Sequence, residues 1–143
     1  MRLVIVSNRL PVTISKDLSG PEAKRSIGGL VTGIGSYLAT IEKGQTCFDD
    51  YVWVGWPGAS IKPEEWPAAN GLIPVFLEDE LVQQYYYGYC NKVLWPLFHY
   101  FPNYIQYDAG LWASYQKANE AFCEVLKAHL HPGDVVWIHD YHL

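Results

Sequence analysis

The sequence has 143 residues, half of them apolar or aromatic, which suffices for one domain with a packed core and excludes a disordered or low-complexity chain. Ten lysines and arginines against fifteen acidic residues give a net charge of -5, so no nucleic-acid partner is predicted. Cys47, Cys90 and Cys123 lie far apart without paired spacing, as in reducing compartments, and we expect a cytoplasmic protein. No apolar run is long enough for a signal peptide or a membrane span, so no membrane partner is expected.

The first half of the sequence predicts two strands with a helix between them. Residues 2–7 (RLVIVS) and 51–56 (YVWVGW) are apolar without polar alternation, the pattern of strands covered on both faces. The stretch from Leu10 to Ile27 is predicted to be a long, charged loop. A helix is then predicted to begin at the glycine pair Gly28-Gly29. Its apolar residues at helical spacing are Leu30, Val31, Ile34, Leu38 and Ile41.

The second half predicts two more strands and two more helices. Residues 72–77 (LIPVFL) form a weaker strand at a sheet edge, because Pro74 cannot donate to a ladder. A helix is predicted from Glu78 to Tyr89, and a longer amphipathic helix from Leu111 to Leu130. The last strand, 135–140 (VVWIHD), is expected to be buried along its length. Strands that alternate with helices predict an α/β fold with a mostly parallel sheet flanked by helices.

Polar residues near strand ends are the first candidates for a site, because ligands of open parallel sheets bind beyond the carboxyl ends of the strands. Arg9 follows the first strand, and its planar guanidinium suits a phosphate group; an ion pair with a surface carboxylate is the alternative. Gly28 and Gly29 open the first helix, whose free N-H groups favour an anion; a tight turn is the alternative. Their spacing does not match the dinucleotide-binding fingerprint, which disfavours a nicotinamide enzyme.

Four polar or aromatic residues end the last strand: His139, Asp140, Tyr141 and His142. Asp140 can accept hydrogen bonds from a sugar hydroxyl, and His139 or His142 can orient it or transfer a proton. Two alternatives stay open. The group can belong to a metal site, although two histidines and one carboxylate do not define one, or the histidines can be buried and bonded to backbone carbonyls.

The aromatic stretch from Tyr85 to Tyr104 indicates a carbohydrate ligand. Sugar C-H faces pack on aromatic rings, while phenol and indole edges provide hydrogen bonds. Most of these rings are nevertheless expected to belong to the core, with two or three in contact with ligand.

Five segments carry a resemblance to a known family: VSNRLP, IGGL, VGWPG, VLWPLFHY and VVWIHDYHL. In this order they closely resemble the amino-terminal half of the trehalose-6-phosphate synthase family, glycosyltransferase family 20, whose members are retaining enzymes of the GT-B fold. The resemblance implies that residues 1–143 form a truncated, acceptor-side Rossmann-like domain, and that the carboxyl-terminal nucleotide-sugar-binding domain is absent from this chain. It implies UDP-glucose as donor, glucose 6-phosphate as acceptor, and no metal or other cofactor.

The resemblance also implies roles for individual residues. Arg9 matches the residue that holds the acceptor phosphate, and Tyr86, Trp95 and Asp140 match residues that line the acceptor sugar pocket. Gly29, with Gly28, matches the loop that approaches the donor phosphate. No catalytic residue is assigned, because the implied mechanism is a front-face displacement in which the departing UDP helps take the acceptor's proton. Four residues are expected near the cleft in supporting positions: Trp56, His139, Tyr141 and His142.

The activity implied for the complete protein is glucosyl transfer to glucose 6-phosphate in trehalose biosynthesis, a hexosyltransferase reaction for which this chain alone is expected to be insufficient. Three alternatives stay open: a synthase that glucosylates glycerol 3-phosphate, a non-catalytic sugar-phosphate-binding regulatory subunit, and a metal-dependent hydrolase. Trp56, Tyr86 and Trp95 are expected to form an exposed apolar patch, which would favour a homo-oligomer.

Overall fold

A four-stranded parallel sheet organises the protein, in a computed structural model that describes residues 1–17, 20–26, 28–67 and 70–143. The strands are β1 (Arg2–Arg9), β2 (Val12–Asp17), β3 (Gly20–Arg25), β4 (Asp50–Trp56), β5 (Leu72–Pro74) and β6 (Val135–Ile138). The helices are α1 (Gly29–Glu42), α2 (Asp79–Val82), a π-helix (Gln83–Leu94), α3 (Trp95–Phe98) and α4 (Ala109–His129), with 3-10 turns at Pro63–Glu65 and Pro102–Tyr104.

The order of the strands in the sheet is β5-β4-β1-β6, and all three pairings are parallel. The predicted α/β class with a parallel sheet flanked by helices is therefore confirmed. The strand predicted over residues 72–77 lies at one edge of this sheet, as the missing N-H of Pro74 indicates, but it is shorter than predicted because β5 ends at Pro74. Strand β1 lies in the interior, and its residues 3–8 are buried because helices cover both faces of the sheet.

Helix α1 covers one face of the sheet. Its buried residues Ile34, Leu38 and Ile41 pack with Leu3, Ile5 and Trp53, which confirms most of the predicted apolar face. Leu30 was expected in that face and is 38 % exposed, since it lies in the first turn beside an open cavity.

The π-helix and α4 cover the other face. Tyr85, Cys90, Ala118 and Phe122 pack there against the valines of β1 and β4. Helix α4 closely matches the helix predicted over Leu111 to Leu130, and the Asp108 side chain caps it by accepting a hydrogen bond from the Gly110 N-H at 2.6 Å.

The helix predicted from Glu78 to Tyr89 is corrected in type and length. Only Asp79–Val82 is α-helical, and the next twelve residues form a π-helix. A Cβ atom at Gly88 would lie 2.7 Å from Leu111 Cδ2. Because glycine has no Cβ, the π-helix can pack closely against α4 at this position. π-Helical turns are rare and no ordinary periodicity predicts them.

The predicted loop from Leu10 to Ile27 is wrong for most of its length, because β2 and β3 form an antiparallel hairpin. Val12 and Ile14 pack against the α1 side of the sheet, while Thr13 between them is exposed. This apolar-polar alternation is the signal of a half-covered strand. Leu18, Ser19 and Ile27 lie outside the described residues.

The last strand is shorter and more exposed than predicted. β6 ends at Ile138, so His139 and Asp140 follow it, and its four side chains are 38 to 54 % exposed. The reason is that β6 pairs with β1 alone in the described sheet and forms its second edge. Over the described ranges, no helix combines the length and apolar character that crossing a membrane would require.

A β-bulge interrupts β1 before Arg9. Val6 is aligned with Val54, but Arg9 and not Asn8 is aligned with Trp56, so β1 contains one residue more than β4 over this interval. Gly55 lies opposite the bulge. A Cβ atom there would be 2.8 Å from Leu10 N and 2.9 Å from Arg9 C, so the bulged strand can approach only a glycine.

We expect Gly55→Ala to lower the free energy of unfolding by about 1–3 kcal/mol, because the new methyl group meets backbone that cannot move without disturbing the sheet. Gly33→Ala is the matched control. A Cβ at Gly33, in the middle of α1, meets nothing within 4 Å, and alanine there should stabilise the helix by about 0.5–1 kcal/mol. Urea unfolding followed by tryptophan fluorescence measures both, and equal effects of the two substitutions would contradict this account of Gly55.

Candidate active site

A cavity of about 500 Å³ opens at the carboxyl end of β1, a size within the usual range for small-molecule sites. Its walls come from the bulge of β1, the start of α1, the π-helix and the residues that follow β6. Six of the residues predicted for the site line it: Arg9, Gly28, Gly29, Tyr86, Asp140 and His142. The structure therefore brings together residues that are up to 133 positions apart in the sequence.

Arg9 ends β1 and is exposed to the cavity. Its guanidinium carbon lies 5.5 Å from the centroid of the Trp56 ring, within the range of a cation-π contact. Among the described residues, none forms an ion pair or a hydrogen bond with this guanidinium. Within that part of the chain the alternative of a surface ion pair is not seen, and the guanidinium of Arg9 can donate hydrogen bonds to an anion in the cavity.

Two residues of the bulge hold the backbone before Arg9. The buried Ser7 hydroxyl accepts a hydrogen bond from the Trp53 indole N-H at 2.8 Å and donates to the Arg9 carbonyl at 2.7 Å. The Tyr85 hydroxyl donates to Asn8 Oδ1 at 3.1 Å inside the core. Ser7 and Asn8 also line the cavity, and sequence reasoning missed them although both follow the apolar run of the first strand.

The glycine pair lies at the amino end of α1, as predicted. Gly28 is the extended residue before the helix, and no hydrogen bond from a described side chain caps the first turn. A Cβ at Gly28 or Gly29 would meet nothing within 4 Å, so the space beside them is open. Free N-H groups at an open helix terminus can bind an anion. Thr13 in the hairpin and Ser26 directly after it also line this cavity, and both were missed because residues 10–27 were predicted to be a loop.

Asp140 and His142 form the opposite wall. Asp140 has a φ of 72°, an uncommon conformation for a residue with a side chain, and such strain concentrates at functional sites. His142 Nδ1 lies 3.4 Å from Asp140 Oδ2, and the His142 ring lies 5.3 Å from the ring of Tyr86. The carboxylate, the imidazole and the phenol thus form one contiguous polar wall.

Four predicted residues do not line the cavity: Trp95, Trp56, His139 and Tyr141. Trp95 is 43 % exposed and stacks on His99 at 4.2 Å. Trp56 is only 7 % exposed and lies beneath Arg9, so the expected apolar patch of Trp56, Tyr86 and Trp95 does not include it.

The histidines differ in their partners. The alternative that His139 and His142 are bonded to backbone carbonyls is not seen in the part of the chain that the structure describes: His139 Nε2 is buried there with no partner, as is Trp56 Nε1, and His142 Nδ1 lies beside the Asp140 carboxylate. Backbone carbonyls are instead contacted by the exposed His99 and His129. The same described part contains no group of three His, Cys, Asp or Glu side chains placed to hold a metal ion.

A second cavity, of about 540 Å³, lies between α1 and the strands β4 and β5. Its lining is mostly apolar and contains none of the residues predicted for the site. We therefore take the cavity at Arg9 as the candidate active site.

An α/β sheet with a polar cavity beyond the end of an interior strand defines the general class of open parallel α/β proteins that bind ligands at this edge of the sheet. The sequence model of Glycosyltransferase family 20 matches residues 1–143, and the chain belongs to that family. The predicted family is thus confirmed, as is the predicted α/β fold of the amino-terminal domain of a GT-B glycosyltransferase.

Known proteins support this membership over nearly the whole chain. An α,α-trehalose-phosphate synthase [UDP-forming] of Aspergillus fumigatus is 41 % identical over 99 % of this chain and 28 % of its own length. A bifunctional trehalose-6-phosphate synthase/phosphatase of Thermoproteus tenax is 45 % identical over 100 % of this chain and 20 % of its own length. The structure of a synthase of Burkholderia xenovorans in complex with glucose-6-phosphate has a TM-score of 0.73 at 28 % identity, and the match covers 99 % of this chain and 28 % of that one. The chain therefore spans less than a third of these proteins.

We expect the free energy of unfolding to decrease as the pH falls from about 6.5 toward 5. Burial holds the pKa of His139 and of His142 below the ordinary value of 6.5, and for His142 the nearby Asp140 carboxylate only partly opposes this. The unfolded chain therefore takes up these protons first, which favours unfolding. The Arg2 guanidinium lowers the pKa of Asp134, but that carboxylate affects stability only below its ordinary pKa of 3.8, outside this interval.

Urea unfolding at several pH values measures this dependence. His142→Gln should make this pH dependence shallower, because the substitution removes one of the two imidazoles whose burial causes it. An unchanged slope in His142→Gln would show that burial of this imidazole does not control the titration.

Proposed function

We propose that the cavity at Arg9 is the acceptor site of a hexosyltransferase that transfers glucose from UDP-glucose to glucose 6-phosphate, giving trehalose 6-phosphate and UDP. The observation that carries the proposal is the guanidinium of Arg9, exposed in the cavity and without an anionic partner among the described residues. A sugar phosphate supplies the missing anion. The Tyr86 hydroxyl and the Asp140 carboxylate, in the same cavity, suit the hydroxyls of its sugar.

Relatives of the chain support this choice of substrates. The similar protein of Aspergillus fumigatus is named as a UDP-forming trehalose-phosphate synthase, and one similar structure is a complex with glucose-6-phosphate. Since the chain spans about 28 % of these relatives, we assign the activity to a protein of their full length, in which further residues bind the nucleotide part of the donor. A cytoplasmic protein without a metal or other cofactor remains our expectation.

The proposed roles follow from the position of each residue. Arg9 would fix the acceptor by its phosphate, and Asp140, held near His142, would orient the sugar hydroxyls. The open amino end of α1 at Gly28 and Gly29 would approach the donor phosphates, where its N-H groups stabilise the negative charge that develops on UDP as it leaves. Retention of configuration then requires only that donor and acceptor meet on one face, with a UDP phosphate oxygen taking the proton of the attacking hydroxyl.

We expect the chain to bind glucose 6-phosphate saturably, more tightly than glucose, in a calorimetric titration. Arg9→Ala should weaken this binding by about 10- to 150-fold, because a hydrogen bond to a charged group contributes about 1.5–3 kcal/mol. Affinity for glucose should not change.

Lys43→Ala is the matched control, because it removes one positive charge at the far end of α1, away from the cavity. If Lys43→Ala weakened binding as much as Arg9→Ala, the effect would be one of net charge and not of a phosphate site. A parallel titration with glycerol 3-phosphate tests the alternative acceptor: tighter binding than that of glucose 6-phosphate would favour a synthase that glucosylates glycerol 3-phosphate.

A further inference from the structure

Gly58 follows β4 two residues after Trp56 and lies directly against the side chain of Arg9. A Cβ atom at Gly58 would contact the Arg9 guanidinium, at 2.7 Å from Nε and 2.8 Å from Cζ. Side-chain atoms of Arg9 thus occupy the space that any other residue at position 58 would fill.

Other glycines of the chain show that this contact is not a general property of turns. Gly58 has a φ of 82°, which by itself favours glycine. Gly133 has a similar φ of 92°, but a Cβ atom there would meet nothing within 4 Å. Backbone conformation therefore explains Gly133 completely and Gly58 only in part.

The guanidinium of Arg9 has two neighbours that fix its place. The Trp56 ring lies 5.5 Å from its central carbon, and Gly58 leaves room beside it. Trp56 is itself held in the core, so it cannot follow the arginine if the arginine moves. Position 58 consequently decides whether the guanidinium can remain over the ring.

We propose that Gly58 is a positioning residue for acceptor phosphate recognition: its missing side chain keeps the Arg9 guanidinium over Trp56, at the cavity that Arg9 lines. This inference rests on the proposed function only for the identity of the anion. The placement of Arg9 itself can be tested without any ligand.

A substitution at Gly58 should move the arginine and leave the fold intact. The atoms that a Cβ would meet belong to the end of a long, flexible side chain, whereas those near Gly55 belong to the backbone. Gly58→Ala adds the strain of a positive φ, and Gly133→Ala adds the same kind of strain without the contact. Gly58→Asn is a second variant, because asparagine tolerates this region better while still adding a Cβ atom.

The first experiment follows the Arg9 Nε-H signal by NMR, assigned through its loss in Arg9→Lys. The ring current of Trp56 should shift this signal in the wild type. Gly58→Ala and Gly58→Asn should remove the shift, and Gly133→Ala should retain it. A shift that persists in both Gly58 variants would overturn the proposal.

The second experiment titrates the same variants with glucose 6-phosphate and with glucose. Gly58→Ala should weaken binding of the phosphorylated sugar by about tenfold or more, should leave glucose unaffected, and should cause little further loss when combined with Arg9→Ala. Full additivity of the two substitutions would overturn the proposal. If the wild type binds no sugar phosphate while Gly58→Ala still loses the NMR shift, the proposed acceptor fails and the positioning of Arg9 by Gly58 stands.

Discussion

The close approach of the β1 bulge to Gly55 is the constraint on which the site depends. Parallel neighbours share a face of the sheet, so the residue of β1 aligned with Trp56 is the one whose side chain can lie over its ring. The bulge makes that residue Arg9 in place of Asn8. It fits against β4 because Gly55 has no side chain, and the Leu10 N-H then donates to the Trp56 carbonyl at 2.8 Å and restores the ladder beyond it.

Buried hydrogen bonds make this irregular strand end rigid. Ser7 is 3 % exposed, and its hydroxyl satisfies both the Trp53 indole and the Arg9 carbonyl. Losing that hydroxyl would leave a buried donor unpaired, which costs more than a solvent-exposed hydrogen bond contributes. The core under the sheet is thus coupled to the backbone of the residue that faces the cavity. A guanidinium that is positioned before a ligand arrives loses less conformational entropy on binding.

Much of the fold could be predicted from the sequence, because apolar runs and helical spacing report burial directly. β1, β4, α1 and α4 are of this kind. The errors have other physical causes. The hairpin β2–β3 has only two strongly apolar residues on its covered face, which is too few for a clear strand pattern. The π-helix does not follow the residue spacing by which an α-helix is recognised in a sequence. Exposure of β6 depends on which strand lies beside it, which is a property of the assembled sheet and not of the VVWI segment.

The site was predictable where a residue follows a strand or belongs to a motif, and unpredictable where its role depends on what another element places against it. Arg9, Tyr86, Asp140 and the glycine pair could be found from strand ends and motifs, and all of them line one cavity. Beyond the end of a predicted strand, the segment VGWPG contributed only a resemblance, because the sequence does not show what its two glycines face. In the structure its first glycine admits the bulge of β1, its tryptophan lies under the guanidinium, and its last glycine leaves room beside it. The motif therefore shapes the site through two glycines. The reason for each is visible only in the structure, where Gly55 faces the backbone of the β1 bulge and Gly58 faces the Arg9 side chain.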